Sequence, residues 1–370
     1  MKIALLGAGH IGQTIARLLA GCGDYAVTVC DQNAAALARI AEAATAAGAP
    51  VHTRVLDSED AAALHGAIAG HDAVVNALPY HLATTVATAA RETRCHYFDL
   101  TEDVAATRAI QRLADGAPTA FMPQCGLAPG FIGIVAHHLA QGFETLHDVK
   151  MRVGALPAFP TNALKYNLTW SVDGLINEYC HPCEAIRDGQ PLEVLPLEGL
   201  EHFSLDGVEY EAFNTSGGLG TLCETLAGRV RTLDYKSVRY PGHQALMKML
   251  LEDLQLRDDT PTLKNILRKS VPGTMQDVVL IFVTVSGLQR GSLMQQVFAR
   301  KIFADRSNGE PLSAIQITTA AGLCAVLDLF REGRLPRSGF IRQEQVALPD
   351  FLGNRFGKAY TQSRQVESIG

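Results

Sequence analysis

Along the first third of the chain, short apolar runs alternate with longer stretches whose apolar residues recur at helical spacing. The runs Lys2–Leu6, Tyr25–Cys30, Val51–Leu56, Asp72–Leu78, His96–Leu100 and Pro118–Met122 read as strands, and Ile11–Ala20, Ala34–Ala47 and Leu82–Glu92 read as helices. Strand–helix alternation at this spacing predicts a parallel sheet with helices on both faces. Beyond residue 125 the pattern is less regular. Asp148–Val153 and Val278–Val285 predict strands, and the almost continuously apolar Asp277–Ser286 fits a buried strand of a second, mixed sheet. Leu312–Arg331 predicts a helix with Ile315, Ala320, Leu323, Val326 and Leu327 roughly on one face, ended by Glu332-Gly333.

The first predicted strand runs straight into Gly7-Ala8-Gly9-His10-Ile11-Gly12, and a helix follows. In that context the three glycines serve a tight turn, close backbone approach to a pyrophosphate, and close helix–strand packing. The helix N-terminus offers free N–H groups to the phosphates. This is the Rossmann dinucleotide-binding turn, and it makes Gly7, Gly9, His10, Ile11 and Gly12 candidate cofactor residues. Asp31 ends the second strand, about 20 residues on, where a carboxylate accepts hydrogen bonds from the adenosine ribose. Gln32 and Asn33 are uncharged and no arginine follows in this turn, which favours NAD over NADP. The alternative is a Rossmann-like domain that binds another nucleotide, or none.

Ligands of such sheets bind outside the carboxyl ends of the strands. Asp57 is therefore expected near the adenine, and Asn76, Leu78 and Pro79 near the nicotinamide ribose. Tyr80 is expected against the substrate. Asp99 and Glu102 either face the substrate or are structural, and Asp103 either joins them or caps the following helix. Cys125 is expected beside the nicotinamide, with no histidine arrangement legible that would give it a covalent role.

The 370 residues are 47% hydrophobic and 19% charged, enough for two or three domains. A net charge of −6 argues against nucleic acid and anionic membranes as partners. No apolar run reaches the length expected of a bilayer span, and the chain opens on a strand rather than a secretory leader, so a cytoplasmic location is expected. The eight cysteines are then expected as reduced thiols. Cys180-His181-Pro182-Cys183 lacks a second pair at zinc spacing, and His137-His138 has apolar neighbours; no metal is expected.

Several segments taken in order resemble the saccharopine dehydrogenase family: GAGHIG at 7–12, NALPYH at 76–81, YFDLTED at 97–103, QCGLAPGF at 124–131, NTSGGLGTLCETLAGRV at 214–230 and YKSVRYPGH at 235–243. Within that family the chain most resembles the lysine 6-dehydrogenase branch. The resemblance implies a Rossmann domain over 1–125, completed by a C-terminal helix, and an α+β substrate and dimerisation domain with a mixed sheet over 126–312. The segment 313–370 would return to the first domain. It also implies a homodimer and NAD-dependent oxidation of the side-chain amine of L-lysine to 1-piperideine-6-carboxylate, with release of ammonia. Saccharopine reductases tend to carry an aspartate in the loop that reads Gly126-Leu127-Ala128-Pro129-Gly130 here, so Ala128 weighs against that reading.

A lysine side chain, with an unperturbed pKa of about 10.4, arrives protonated, so the reaction needs a base. Glu102, His243 and Asp99 are the candidates. Thr215 and Ser216 either grip a substrate carboxylate or cap the helix near Thr221. Of the basic set Arg229, Arg231, Lys236 and Arg239, Arg239 is the choice for an α-carboxylate. Tyr166, Trp170 and Tyr179 either line the substrate pocket or pack the core. Two competing readings stand beside this one. The first is a saccharopine-type or carboxy-polyamine dehydrogenase; the second is a non-catalytic NAD-binding sensor or structural protein.

Overall fold

The structure, a computed structural model, describes residues 1–305 and 311–361. It divides into two compact units, one of Met1–Ile134 with Thr318–Thr361 and one covering Val135–Ile317. The expected boundaries lie at 125 and 312, and the units divide after Ile134 and Ile317. The turn after residue 125 packs into the first unit, where a Cβ added at Gly126 would touch Leu100 and Thr319. The last nine residues of the expected segment 313–370 lie outside the described residues.

In chain order the N-terminal elements are β1 (Lys2–Leu6), α1 (His10–Gly21), β2 (Ala26–Asp31), α2 (Ala34–Ala46), β3 (His52–Val55), α3 (Ala61–Ile68), β4 (Ala73–Asn76), α4 (Ala83–Glu92), β5 (His96–Asp99), α5 (Val104–Ala114) and β6 (Ala120–Met122). Helix α6 (Phe131–Ala140) follows. The middle of the chain supplies β7 (Thr145–Pro157), α7 (Val172–Cys180), β8 (Cys183–Arg187), β9 (Gln190–Val194), β10 (Glu201–Leu205), β11 (Val208–Asn214), α8 (Leu222–Leu226), β12 (Val230–Arg239), α9 (His243–Lys248), α10 (Thr260–Ser270), β13 (Asp277–Gln289) and β14 (Ser292–Phe303). The chain then forms α11 (Ala314–Arg331), β15 (Gly339–Phe340) and α12 (Leu348–Gly353).

The first unit is a seven-stranded parallel sheet in the order β15-β6-β5-β4-β1-β2-β3. Its central strands are short and apolar because both faces are covered: Ile3, Ala4, Leu5, Leu6, Val74 and Val75 are fully buried. The order reverses direction at β1, so the carboxyl ends of β1 and β4 flank a topological switch point. Helix α11 belongs to this core. Phe330 packs edge-on against His96 and Phe98, and Asp328 accepts a hydrogen bond from Tyr25 on the approach to β2. Contrary to the expectation from sequence, α11 is long and apolar enough to cross a membrane by length and composition, but most of it is buried inside the protein. The seventh strand, β15, extends the sheet beyond β6.

The second unit is built on a mixed sheet in the order β10-β11-β12-β7-β13-β14, with β8 joining β12 and β9 joining β8. Strands β12 and β7 run parallel and the other pairs antiparallel. Along β13, Val279, Ile281, Val283 and Val285 are fully buried while alternate residues are half-buried beyond Leu280. A second layer of α7, α9 and α10 packs Tyr166, Leu175, Tyr179, Met247, Leu251 and Leu263 with Phe213 of β11. His243 opens α9 in this layer, and Arg239 ends β12 with its guanidinium near the rings of Tyr166 and Tyr179.

Candidate active site

In the first unit the glycine turn has the strained geometry that its composition suggested. Gly7 has φ +107°, and a Cβ there would lie 2.7 Å from the carbonyl oxygen of Ala77. A Cβ at Gly12 would overlap the Gly7 carbonyl, so α1 packs as close to the turn as backbone allows. A Cβ at Gly9 would meet nothing within 4 Å, and α1 has no side-chain cap. Helices α2, α3 and α5, by contrast, are capped by Asn33, Asp60 and Asp103. The exposed Gly9 and His10 and half-buried Ile11 therefore leave the first-turn N–H groups to an anion, and the residues fit a dinucleotide pyrophosphate. Asp31 is half-buried; one oxygen accepts from the Ala8 N–H at 2.6 Å and the other from the Asn33 N–H at 2.8 Å.

Other strand-end candidates fall differently. Asp57 lies beyond the end of β3, exposed, accepting from the Glu59 N–H at 3.0 Å. Asn76 is buried and committed to the protein: its side-chain oxygen accepts from the Leu78 N–H and its amide donates to the Tyr97 hydroxyl. Its side chain thereby shapes the loop that follows β4. Leu78, Pro79 and Tyr80 stay partly or fully exposed after it.

Asp99 is also committed. It is 1% exposed, accepts from the Tyr97 hydroxyl at 2.6 Å, and takes the N–H groups of Gln124 and Thr101 at 2.8 and 3.0 Å. Burial raises its pKa to about 6, with those hydrogen bonds opposing the rise. It ties β5 to the turn after β6, with three of its acceptor sites taken by the protein's own donors. Asp103 caps α5 through the Ala106 N–H at 2.7 Å. Glu102, between them, is half-buried and accepts from no other residue among those described; burial pushes it to about 7, its own N–H opposes the shift, and Asp103 and Asp99 add to it. Cys125 is 1% exposed, receives a hydrogen bond from the Gln343 amide at 3.2 Å, and burial pushes its thiol far up. Its thiol is bonded within the protein, donating to the Met122 carbonyl at 3.1 Å.

In the second unit Thr215 and Ser216 are both buried and their hydroxyls are used internally, by Ser237 at 2.8 Å and by the Pro182 carbonyl at 2.9 Å. The Ser216 proton is thereby committed to the protein, while either Thr215 or Ser237 can be the donor of their pair. Arg239, at the end of β12, is 3% exposed; Nε donates to the Tyr179 hydroxyl at 2.9 Å and Nη1 to the Val238 carbonyl at 2.8 Å. Its guanidinium lies 5.1 Å from the Tyr166 ring centre and 5.8 Å from that of Tyr179. Nη2 makes no hydrogen bond among the described residues, and neither does the buried Tyr166 hydroxyl. A buried cation with a free N–H edge beside an unpartnered hydroxyl suits a carboxylate. Of the other cations of the set, Arg231 pairs with Asp148, Lys236 pairs with Glu201, and Arg229 is exposed.

His243 does not have the setting of a base. It is 1% exposed; Nδ1 lies 2.9 Å from the Leu164 carbonyl and Nε2 3.1 Å from the Tyr179 hydroxyl. Burial, then the nearby Arg239, lowers its pKa to about 3. Tyr166 and Tyr179 thus join the aromatic layer around Arg239, while Trp170 packs at the edge of the same cluster. Tyr179 and its bond to Arg239 carried no local sequence signal beyond an aromatic in a helix. Among the described residues no group of three or more His, Cys, Asp or Glu is placed to hold a metal, and all eight cysteines are unpaired.

Residues 3–121 match the family described as the saccharopine dehydrogenase NADP binding domain, and residues 126–354 match the saccharopine dehydrogenase C-terminal domain. The chain is 20% identical over 400 residues to the mitochondrial alpha-aminoadipic semialdehyde synthase of Mus musculus, covering 100% of this chain but 41% of that one. It is 23% identical over 365 residues to the NADP(+), L-glutamate-forming saccharopine dehydrogenase of Pyricularia oryzae, covering 90% and 78% of the two chains. In fold it is similar to the apo L-Glu-forming saccharopine dehydrogenase of Saccharomyces cerevisiae, with TM-score 0.77 at 18% identity over 95% and 96% of the chains. The homospermidine synthase of Legionella pneumophila in complex with NAD gives TM-score 0.67 at 14% identity over 98% and 90%. The two family matches together span nearly the whole chain, which therefore belongs to the saccharopine dehydrogenase family of oxidoreductases.

Proposed function

We propose that this chain is an NAD-dependent dehydrogenase that oxidises the side-chain amine of L-lysine, releasing ammonia and giving 1-piperideine-6-carboxylate. The observation that carries the reading is Glu102. Of the three carboxylates around the end of β5, Asp99 and Asp103 are taken up by the protein's own donors, and Glu102 is left with its pKa raised to about 7. A carboxylate tuned close to neutrality is suited to drawing a proton from an ammonium group and, later, from an attacking water.

When bound, NAD supplies the hydride acceptor. The chain's own contributions are separable. Glu102 attracts the ammonium and takes its proton, freeing the nitrogen lone pair that must assist loss of hydride from the neighbouring carbon. The product of that loss is an iminium. Once it has lost that proton to solvent, Glu102 takes a proton from water as it adds to the iminium and passes it to the nitrogen, and ammonia leaves as the hydroxyl returns its own proton to the carboxylate. The aldehyde condenses with the α-amine of the same molecule and returns the water. In the second unit, Nη2 of Arg239 and the Tyr166 hydroxyl together suit a carboxylate, Nη2 offering a hydrogen bond of the strong, charge-assisted kind.

Asp31 supports NAD as the coenzyme. A 2′-phosphate would meet its carboxylate, and the exposed Gln32 and Asn33 bring no positive charge. The family match and the Pyricularia oryzae relative are named for NADP, so this preference rests on residue 31 and its neighbours. The second reading, a saccharopine-type dehydrogenase, is favoured by the names of the relatives, whereas Ala128 offers no carboxylate in its loop. The test is the rate of NAD reduction with L-lysine against that with saccharopine. A kcat/KM at least 100-fold higher for lysine supports the proposal, and the reverse ratio replaces it with the second reading.

A further inference from the structure

His243 is fully buried, contacts two polar partners, and has no part in the chemistry proposed above. Its role follows from donor and acceptor accounting. The Leu164 carbonyl, 2.9 Å from Nδ1, only accepts, so Nδ1 carries the proton and Nε2 presents a lone pair. Arg239 Nε only donates, so the Tyr179 oxygen accepts from it at 2.9 Å. The one hydroxyl proton of Tyr179 is then directed to Nε2 of His243 at 3.1 Å. The chain of donors runs one way, from Arg239 through Tyr179 to His243 and on to Leu164, and each link fixes the next.

The histidine ring is itself held in place. It lies parallel to Phe213, with 6.2 Å between ring centres, and against Tyr166 at 5.3 Å. Glu211 grips the turn on either side of it, accepting from the N–H groups of Gly242 at 2.7 Å and Gln244 at 2.6 Å. Glu211 also sits directly opposite Arg239 in the β11–β12 register.

From this geometry we infer that His243 is a positioning residue that, through the Tyr179 hydroxyl, sets the orientation of the Arg239 guanidinium and so the affinity for the substrate carboxylate. The inference rests on the reading of Arg239 as the carboxylate contact. Without the acceptor at Nε2, the Tyr179 proton is free to turn, and the Arg239 Nε bond loses its fixed partner.

The test uses the full-length protein with saturating NAD and compares His243→Leu, His243→Gln and Arg239→Met. Glutamine keeps both functions, an amide N–H for Leu164 and an oxygen for Tyr179. His243→Leu is expected to raise KM for L-lysine by about 10-fold, the equivalent of about 1.4 kcal/mol, with kcat within about two-fold and KM for NAD unchanged. His243→Gln is expected to bring the lysine KM most of the way back. A loss of kcat in both His243 variants at unchanged lysine KM overturns the inference and makes His243 a chemical participant. An unchanged KM in His243→Leu, or no rescue by glutamine in a folded variant, also overturns it. If Arg239→Met leaves the lysine KM unchanged, the carboxylate reading itself fails and the positioning role falls with it. If Arg239→Met raises KM and His243→Leu does not, only the positioning role fails.

Discussion

The carboxylate of Asp31 accepts a hydrogen bond from the backbone N–H of Ala8 at 2.6 Å, joining the end of β2 to the glycine turn that follows β1. One side chain thus both shapes the phosphate-binding turn and presents charge where the adenosine ribose is expected. Asp31→Ala should raise KM for NAD by about 10-fold or more, in line with the loss of one or two hydrogen bonds to a charged group. The ratio of kcat/KM for NADP to that for NAD should rise, because the charge facing a 2′-phosphate is gone. Initial rates with each coenzyme check this, and an unchanged ratio would show that residue 31 does not set the preference.

Glu102→Gln removes the base and keeps the shape. We expect kcat to fall by about 100-fold to 10,000-fold. In the unsubstituted protein kcat/KM should rise with pH through about 7, as Glu102 ionises, and that limb should vanish in the variant. Stability gives an independent reading. The folded-state pKa lies above the ordinary value of 4.5, so between 4.5 and about 7 the folded state binds more protons and stability falls as pH rises. Glu102→Gln should therefore be more stable than the parent at pH 8 and similar at pH 4, as measured by urea unfolding.

The legible part of the first unit is local. The glycine turn and Asp31 lie within one strand–helix–strand unit, and short apolar runs mark most strands because both sheet faces are covered. What the sequence could not show is which polar groups the protein uses for itself. Asp99, Asn76, Thr215, Ser216 and His243 have the right chemistry for a site, yet each is bonded to partners distant in sequence or brought close by the fold. In the second unit β9 is exposed along most of its length and β10 is only half-buried, so neither leaves an apolar run to read. Strands β7 and β13 extend past the apolar stretches that announced them. The resemblance to the family placed the YPGH segment, but the Tyr179–His243 contact spans 64 residues and has no local signature.

Asp99→Ala is expected to act on folding. It strands the N–H groups of Gln124 and Thr101 in the interior, while the Tyr97 hydroxyl keeps the Ala83 carbonyl at 3.2 Å. A loss of about 2 to 5 kcal/mol follows from leaving buried donors without an acceptor. Urea unfolding measures it; a variant as stable as the parent but without turnover would restore Asp99 to the catalytic group.

Asp328 in α11 holds the C-terminal segment to the first unit, accepting from Tyr25, Asn354, Arg355 and Arg331. Burial alone would raise its pKa, but these bonds more than offset that and hold it at about 2, below the ordinary 3.8. Its contribution is therefore present above about pH 4 and lost as pH falls toward 2. Asp328→Ala should cost about 3 to 5 kcal/mol at pH 7, as expected when one partner of a buried ionic group is removed, and markedly less near pH 2. Equal costs at both pH values would contradict the assignment.

The central claim is oxidative removal of an amine, and the most direct measurement follows two products of one reaction. The protein is supplied with NAD and L-lysine at mildly alkaline pH, and NADH and ammonia are quantified together. Equal amounts of the two, rising in step, are the predicted result. NADH without ammonia would contradict oxidative deamination, and no NADH from a preparation shown to bind NAD would contradict lysine as the substrate.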